Sequence, residues 1–415
     1  MSWNVLSHNG YCNLLMHVTG ASIARISPGR RTAFEALTGV ERGAYASDSL
    51  RSLSTTLDTR NAGLAAQIVF GCLRYRAQID FLIFHLSGRR SGDLDETLRL
   101  ALRMGIFQLR YLDRIPAHAA VHESVELVKQ HRRAAAGLAN AVLRKVTREP
   151  VSWPDEATEL SVPGRLLERW KAHFGADRAR SIARSALEEP KRYIRVAPGA
   201  DSPAGAKVEP AGIAGAFRLL PPFPAGIRLH DIGSQAIVPL LGLGPGQSYL
   251  DLCAAPGNKT LQALETPLSL AVACDIGEKR IREIPRVCPL VVLDATEPLP
   301  FSRPFDRIFI DAPCSGTGTM ARNPEIKWRV EARDIARFGE KQSRILEQAA
   351  RLLAPGGKLV YATCSLEPEE NEDVVRSALA AHPELRLERT QWRLPGIDEG
   401  DGFFAAVFSA AAAAA

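Results

Sequence analysis

The sequence predicts a doubly wound α/β domain on a mostly parallel sheet, preceded by an all-α domain and a small α+β subdomain. Three observations carry this. From residue 248 onward, short apolar runs alternate with helical stretches, as a doubly wound sheet requires. Residues 28–148 instead repeat Leu, Ile, Val and Phe three or four positions apart, with few breakers. Between the two, residues 198–226 are rich in Pro and Gly, which suits a compact irregular piece rather than long helices.

Taken in order, residues 1–27 read as an irregular extension and 28–148 as the all-helical domain. Helices are expected there over 62–72, 94–112, 119–129 and 134–148, with Asp93 or Asp95 opening the second and Pro116 separating it from the third. Residues 149–160, with Pro150 and Pro154, read as a linker. The small subdomain spans 161–235 and opens on a helical segment, 164–189, that Pro190 ends. The sheet domain covers 236–408, with strands expected at 249–252, 271–274, 290–293, 305–310, 358–362 and 403–408. Residues 409–415 form an Ala-rich tail with no assigned role.

Composition narrows the class of protein. The chain has 415 residues, 46% of them hydrophobic and 24% charged, which is ordinary for a globular protein of two or three domains. No apolar run approaches the ~18 residues of a membrane span, and the first 27 residues lack the pattern of a signal peptide, so a cytoplasmic location is expected. Seven cysteines at irregular spacings argue against a disulfide framework, and no C-x-x-C zinc half-site is present. The net charge of +6 is unevenly spread: residues 25–148 hold 20 Lys or Arg against 11 Asp or Glu. A basic helical module joined to a near-neutral one suggests an electrostatic grip on nucleic acid. His118, His122 and His131 lie in this basic module without cysteines or acids to complete a cage, so no metal is expected.

The first expected strand of the sheet domain runs into Cys253-Ala254-Ala255-Pro256-Gly257-Asn258-Lys259, with a helix just after it. Small residues and Gly257 let backbone approach a ligand closely. The segment is neither G-x-G-x-x-G nor a P-loop. Asp275 closes the second strand, where a carboxylate can accept ribose hydroxyls, and Asp294 closes the third, where it can orient a purine. With Asp251, three acids at successive strand ends fit an adenosine-bearing ligand without phosphates, and S-adenosylmethionine answers that description.

Two further strands end in cysteine motifs: Asp311-Ala312-Pro313-Cys314-Ser315-Gly316-Thr317-Gly318 and Thr363-Cys364-Ser365. Both fall at the carboxyl-end crevice where open α/β sheets bind ligands. Paired thiols beside a cofactor pocket suit covalent chemistry on an electrophilic carbon, one attacking and the other assisting release. Cys12, Cys72, Cys274 and Cys288 read as small buried hydrophobes, and Cys253 as a small loop residue. Trp328, between Lys327 and Arg329, is placed either stacked on RNA or packed against the sheet edge.

These motifs, with Pro324-Glu325-Ile326-Lys327-Trp328 and Pro368-Glu369-Glu370-Asn371, make residues 160–408 resemble the RsmB/NOP family of RNA 5-methylcytosine methyltransferases. The basic helical domain looks like the NusB-like RNA-binding module of the bacterial ribosomal RNA members. The resemblance implies a Rossmann-like class I S-adenosylmethionine methyltransferase fold, with a small-subunit ribosomal RNA cytosine as substrate and 161–235 as a further RNA contact. It implies Cys364 as nucleophile, Cys314 as the thiol that assists release, and Asp311 as the group holding the cytosine edge. Lys259 is expected to favour a thiolate or hold the site electrostatically. Cys253, Ala254, Ala255, Pro256, Gly257, Asn258, Lys259, Asp275, Asp294 and Asp311 are expected around the cofactor. DNA cytosine methyltransferases use a cysteine that follows proline, as Cys314 does, so the two thiols could exchange roles. Asn258 and Ala197 stand where many members have Gly and Asn. An RNA-binding assembly factor with an inactive fold, and a cytosine methyltransferase acting on transfer RNA or DNA, are the competing readings.

Overall fold

The structure is a computed structural model that describes residues 26–411; Cys12 and the ends of the expected extension and tail lie outside that range. Seven α-helices build the first part: Pro28–Glu41, Ala46–Leu53, Thr59–Arg74, Arg76–Ser87, Glu96–Tyr111, Ala117–Arg132 and Ala136–Leu143. Their apolar stripes meet in one core around Leu37, Ile68, Ile79, Leu100 and Val128. Asp58 and Asp95 cap two of the helices by accepting from the Asn61 and Leu98 N–H groups. Several arginines are spent on this fold: Arg103 pairs with Asp80 and Glu41, and Arg30 with Glu123. Arg132, Arg133, Arg144, Lys145 and Arg148 are exposed on this domain.

The expected single helix over 164–189 is two helices, Gly164–Phe174 and Ala176–Ser185, broken where Gly175 takes φ +85°. Trp170 and Ile182 from this pair share a core with Met320, Ile335 and Leu366, so the pair packs directly on the motif-bearing loops. The Pro/Gly-rich stretch that follows holds a three-stranded antiparallel sheet of β1 (Tyr193–Arg195), β2 (Lys207–Pro210) and β3 (Ala216–Leu220), ordered β1-β3-β2.

The large sheet has seven strands, one more than the sequence suggests. They are β4 (Ser248–Asp251), β5 (Leu270–Asp275), β6 (Leu290–Val292), β7 (Phe305–Asp311), β8 (Leu353–Thr363), β9 (Leu385–Arg393) and β10 (Phe403–Ala410), ordered β6-β5-β4-β7-β8-β10-β9. Strands β4 to β8 pair in parallel, and β10 runs antiparallel to both β8 and β9. Because β4 pairs with β5 on one side and β7 on the other, the strand order reverses there and opens a crevice beyond the carboxyl ends. No helix among the described residues is long and apolar enough to cross a membrane.

Segment 321–329 welds the helical domain to the sheet domain. Arg74 Nη2 donates to the Ala321 carbonyl (3.0 Å), Lys327 Nζ to the Arg74 carbonyl (2.8 Å), and Trp328 Nε1 to the Leu73 carbonyl (2.7 Å). In return, Glu325 accepts the Ala46 N–H that opens the second helix. Trp328 therefore takes neither expected place: its polar edge is used by the other domain, and Arg76 lies over its ring.

One buried group gives the fold an acid-sensitive point. The His230 backbone N–H donates to the Tyr193 carbonyl, its ring Nε2 lies 3.1 Å from Ser234 Oγ, and the residue is 4% exposed. Burial, helped by the positive charge of Lys259, Arg195 and Arg228, pushes its pKa down to about 3. The folded state keeps the ring neutral while the unfolded chain takes up a proton below pH ~6.5, so stability is lost as pH falls from about 6.5 toward 3. Between pH 7 and 5 the loss is about 2 kcal/mol. Urea melts of the His230→Gln variant are expected to be flatter than wild type over that interval by this amount.

Candidate active site

The crevice is built from the turns that leave β4, β5, β7 and β8. After β4, the Ala254 N–H donates to the Cys274 carbonyl and the Gly257 N–H to the Ala254 carbonyl, folding the loop back over the sheet. Gly257 then starts the helix Asn258–Ala263 at φ +98°, where an added Cβ would sit 2.9 Å from Ile284 Cγ1. Asp275, at the end of β5, accepts the Ala255 N–H (3.2 Å), the Gly277 N–H (2.7 Å) and Arg280 Nη2 (2.7 Å). Exposed Asp294 accepts the Thr296 N–H and hydroxyl, which hold its carboxyl below the ordinary range.

These groups surround a cavity of about 270 Å³ that reaches both cysteines. Cys253, Ala255, Asp275, Asp294, Asp311, Cys314 and Cys364 line it. Ala254, Pro256, Gly257, Asn258 and Lys259 stand behind the lining: Ala254 is buried under the loop, while Asn258 is tied to the Leu229 carbonyl and to Arg228. Ile276, Leu293, Arg280 and Lys341 complete the walls and had no distinguishing signal in the sequence.

The two sulfurs meet. Strands β7 and β8 are parallel neighbours, with Asp311 opposite Ala362, so the turns leaving them rise side by side. The Ala312 N–H donates to the Ala362 carbonyl and the Gly318 N–H to the Cys364 carbonyl, both at 2.8 Å, which zips the turns together. Cys314 Sγ then lies 3.2 Å from Cys364 Sγ. That contact, followed by burial and the nearby negative charge of Glu370, pushes the Cys314 thiol well above the ordinary thiol range. Cys314 thus holds its proton at neutral pH and can donate it toward the neighbouring sulfur. Burial raises the Cys253 thiol likewise, which disfavours its thiolate.

On the other side of the cleft, Lys259 Nζ lies 2.6 Å from Asp311 Oδ2, with its ammonium 5.0 Å from the centre of the Phe403 ring. The lysine is thereby engaged with the carboxylate. Deeper still, Asp251 is buried, accepts the Thr260 hydroxyl at 2.7 Å, and is pushed up to about 7 by burial.

The strand order, the crevice at its reversal and the small-residue loop after β4 together define a class I S-adenosylmethionine-dependent methyltransferase fold. Residues 238–409 match the family described as 16S rRNA methyltransferase RsmB/F, and residues 27–148 match the NusB family. A ribosomal RNA small subunit methyltransferase B from Salmonella paratyphi B is 34% identical over 406 residues, spanning 88% of this chain and 94% of that one. The chain belongs to the RsmB/F family of rRNA methyltransferases. Among solved structures, PH0851 superposes with a TM-score of 0.76 at 24% identity over 92% of this chain and 99% of that one, a likeness of fold. A methyltransferase homolog protein from Pyrococcus horikoshii gives a TM-score of 0.52 at 26% identity over 62% of this chain and all of that one.

Proposed function

We propose that this protein transfers a methyl group from S-adenosylmethionine to carbon 5 of a cytosine in small-subunit ribosomal RNA, through a covalent adduct with Cys364. The observation that carries the reading is the 3.2 Å approach of Cys314 and Cys364 at the mouth of a carboxylate-lined cleft. Carbon 5 of cytosine is a poor nucleophile until something adds to carbon 6, and a thiolate is suited to that addition.

The donor set of the cleft fits the proposed cofactor. Asp275 and Asp294 suit ribose hydroxyls and an adenine edge, Ile276 and Leu293 supply apolar walls, and Asp311 adds negative charge that favours a cationic sulfonium over a phosphate. When bound, the cofactor supplies an activated methyl group. Cys253 and Ala255 would hold it from the loop, while Ala254, Pro256, Gly257 and Asn258 keep that loop in shape.

In the proposed sequence, the Cys364 thiolate forms a bond to carbon 6 of the base, and the displaced electron pair makes carbon 5 nucleophilic. Asp311, oriented by Lys259, hydrogen-bonds the cytosine edge and stabilises its protonated form during attack. After methyl transfer, water entering the cleft takes the carbon-5 proton, the C5–H electron pair forms the C5–C6 double bond, and the S–C6 bond breaks with its own pair returning to the Cys364 sulfur. Cys314 assists that release, a role consistent with a thiol that keeps its proton. The base must be unstacked to enter. The exposed basic residues of the helical domain, with the small subdomain, are the proposed grip on the RNA.

The test is transfer of tritiated methyl from S-adenosylmethionine to ribosomal RNA of a strain lacking the protein, followed by bisulfite sequencing. The expected result is one methylated cytosine in the small-subunit RNA, absent from that strain and restored by the protein. Label confined to transfer RNA or DNA, or no label at all, contradicts the proposal.

A further inference from the structure

Glu370 is completely buried, and its partners are all neutral. Its Oε1 accepts the Ser315 N–H at 2.8 Å and the Gln342 side-chain amide at 3.2 Å. Its Oε2 accepts both the Ser315 and the Ser365 hydroxyls. Ser315 and Ser365 are the residues that immediately follow Cys314 and Cys364. One carboxylate therefore grips the backbone and side chain just past one thiol and the side chain just past the other. Gln342 extends the grip by also donating to the carbonyl of Pro313, on the other side of Cys314 (2.9 Å). Glu370 is itself fixed, since the Tyr361 hydroxyl donates to its carbonyl at 2.6 Å.

Burying a carboxylate with no cation beside it is costly for stability alone. An apolar residue of similar size would fill the space, but it could not hold two loops from different strands in register. Hydrogen bonds to an ionised acceptor are stronger than neutral ones and fix direction as well as distance.

We propose that Glu370 is the positioning residue that sets the two sulfurs against each other, acting through Ser315 and Ser365. The role in methyl transfer rests on the proposed function; the control of sulfur spacing does not. The carboxylate holds the loops before any base arrives, so the attacking sulfur and its neighbour meet the pyrimidine in a fixed relation.

The full-length Glu370→Gln variant tests this, with Ser315→Ala/Ser365→Ala as a second variant that keeps the carboxylate but removes both hydroxyl donors. Two readouts are taken on protein shown by thermal melting to be folded. The first is binding of phenylarsine oxide, which needs two thiols at fixed separation, with Cys314→Ala and Cys364→Ala giving the background from other cysteines. The second is the kinetics of methyl transfer. A displacement of about 1 Å can cost about 100-fold in rate, so kcat is expected to fall ~10- to 100-fold while KM for RNA and donor stays within about twofold. Arsenical affinity is expected to fall about tenfold or more in both variants, while alkylation by iodoacetamide persists. Wild-type arsenical affinity in both folded variants overturns the proposal, as does an unchanged kcat. The arsenical measurement needs no substrate. A protein whose arsenical affinity depends on Glu370 but which methylates no RNA would keep the positioning role and refute the function.

Discussion

Replacing Cys364 with alanine is expected to abolish methyl transfer to RNA, whereas Cys314→Ala is expected to complete the first methyl transfer and then stall as a protein–RNA adduct. The asymmetry follows from the roles proposed for the two thiols. Both sulfurs lie within 3.2 Å of each other, so either could reach the same base. The neighbouring sulfur, burial and the charge of Glu370 favour the thiol form of Cys314, the form its proposed part in release needs. A thiol is a weak nucleophile but a competent proton carrier. Without Cys364 the carbon-6 bond cannot form, and loss of a nucleophile costs about a thousandfold or more in rate. Without Cys314 the bond forms but its release is slowed. A denaturing gel of enzyme mixed with RNA and S-adenosylmethionine reads the difference: a shifted band for Cys314→Ala and none for Cys364→Ala. The reverse pattern exchanges the two roles.

The second large effect is expected at Gly318, which has no chemistry of its own. Its N–H donates to the Cys364 carbonyl and its carbonyl accepts the Gly402 N–H, both at 2.8 Å. A Cβ at this position would lie 2.6 Å from the Gly402 carbonyl oxygen and 2.8 Å from that of Cys364. Both obstacles are backbone, so no rotamer change relieves them. Gly318→Ala must separate the turns that carry the two cysteines or push β10 away. We expect a loss of about 3 kcal/mol in urea unfolding and a fall of about 100-fold in kcat. Wild-type stability and activity in this variant would show that the turns tolerate separation and that catalysis does not depend on their close approach.

The sequence was most informative where a residue's role is set by its own strand. Short apolar runs of period two or continuous burial located β4 to β8 and β10, and Asp275, Asp294, Asp311 and the two cysteines fell in the crevice because strand ends in this topology point there, whereas Asp251 is buried beneath it against Thr260. Strand β9 escaped because Arg386, Glu388, Arg389 and Arg393 interrupt its apolar pattern. As an edge strand paired only with β10, it needs few apolar residues and gains protection from charge. The contacts of Trp328 and Lys327 were out of view for a different reason. Their partners are carbonyls of residues 73 and 74, and no local pattern announces a contact some 250 positions away. Glu370 lay in view within a recognised motif, yet its work depends on two serines that come together only when β7 and β8 pair. Lys259 was expected either to favour a thiolate or to hold the site electrostatically, and its 2.6 Å contact with Asp311 matches the second of these.

The most direct measurement uses RNA carrying 5-fluorocytosine, whose carbon-5 fluorine cannot leave as the proton does and so locks the enzyme onto the base. Digestion of the wild-type complex and mass spectrometry of the cross-linked peptide should find one methylated fluorocytosine attached at Cys364. A nucleotide on Cys314 or any other residue, or a failure to trap under conditions where unsubstituted RNA is methylated, would contradict attack by that sulfur.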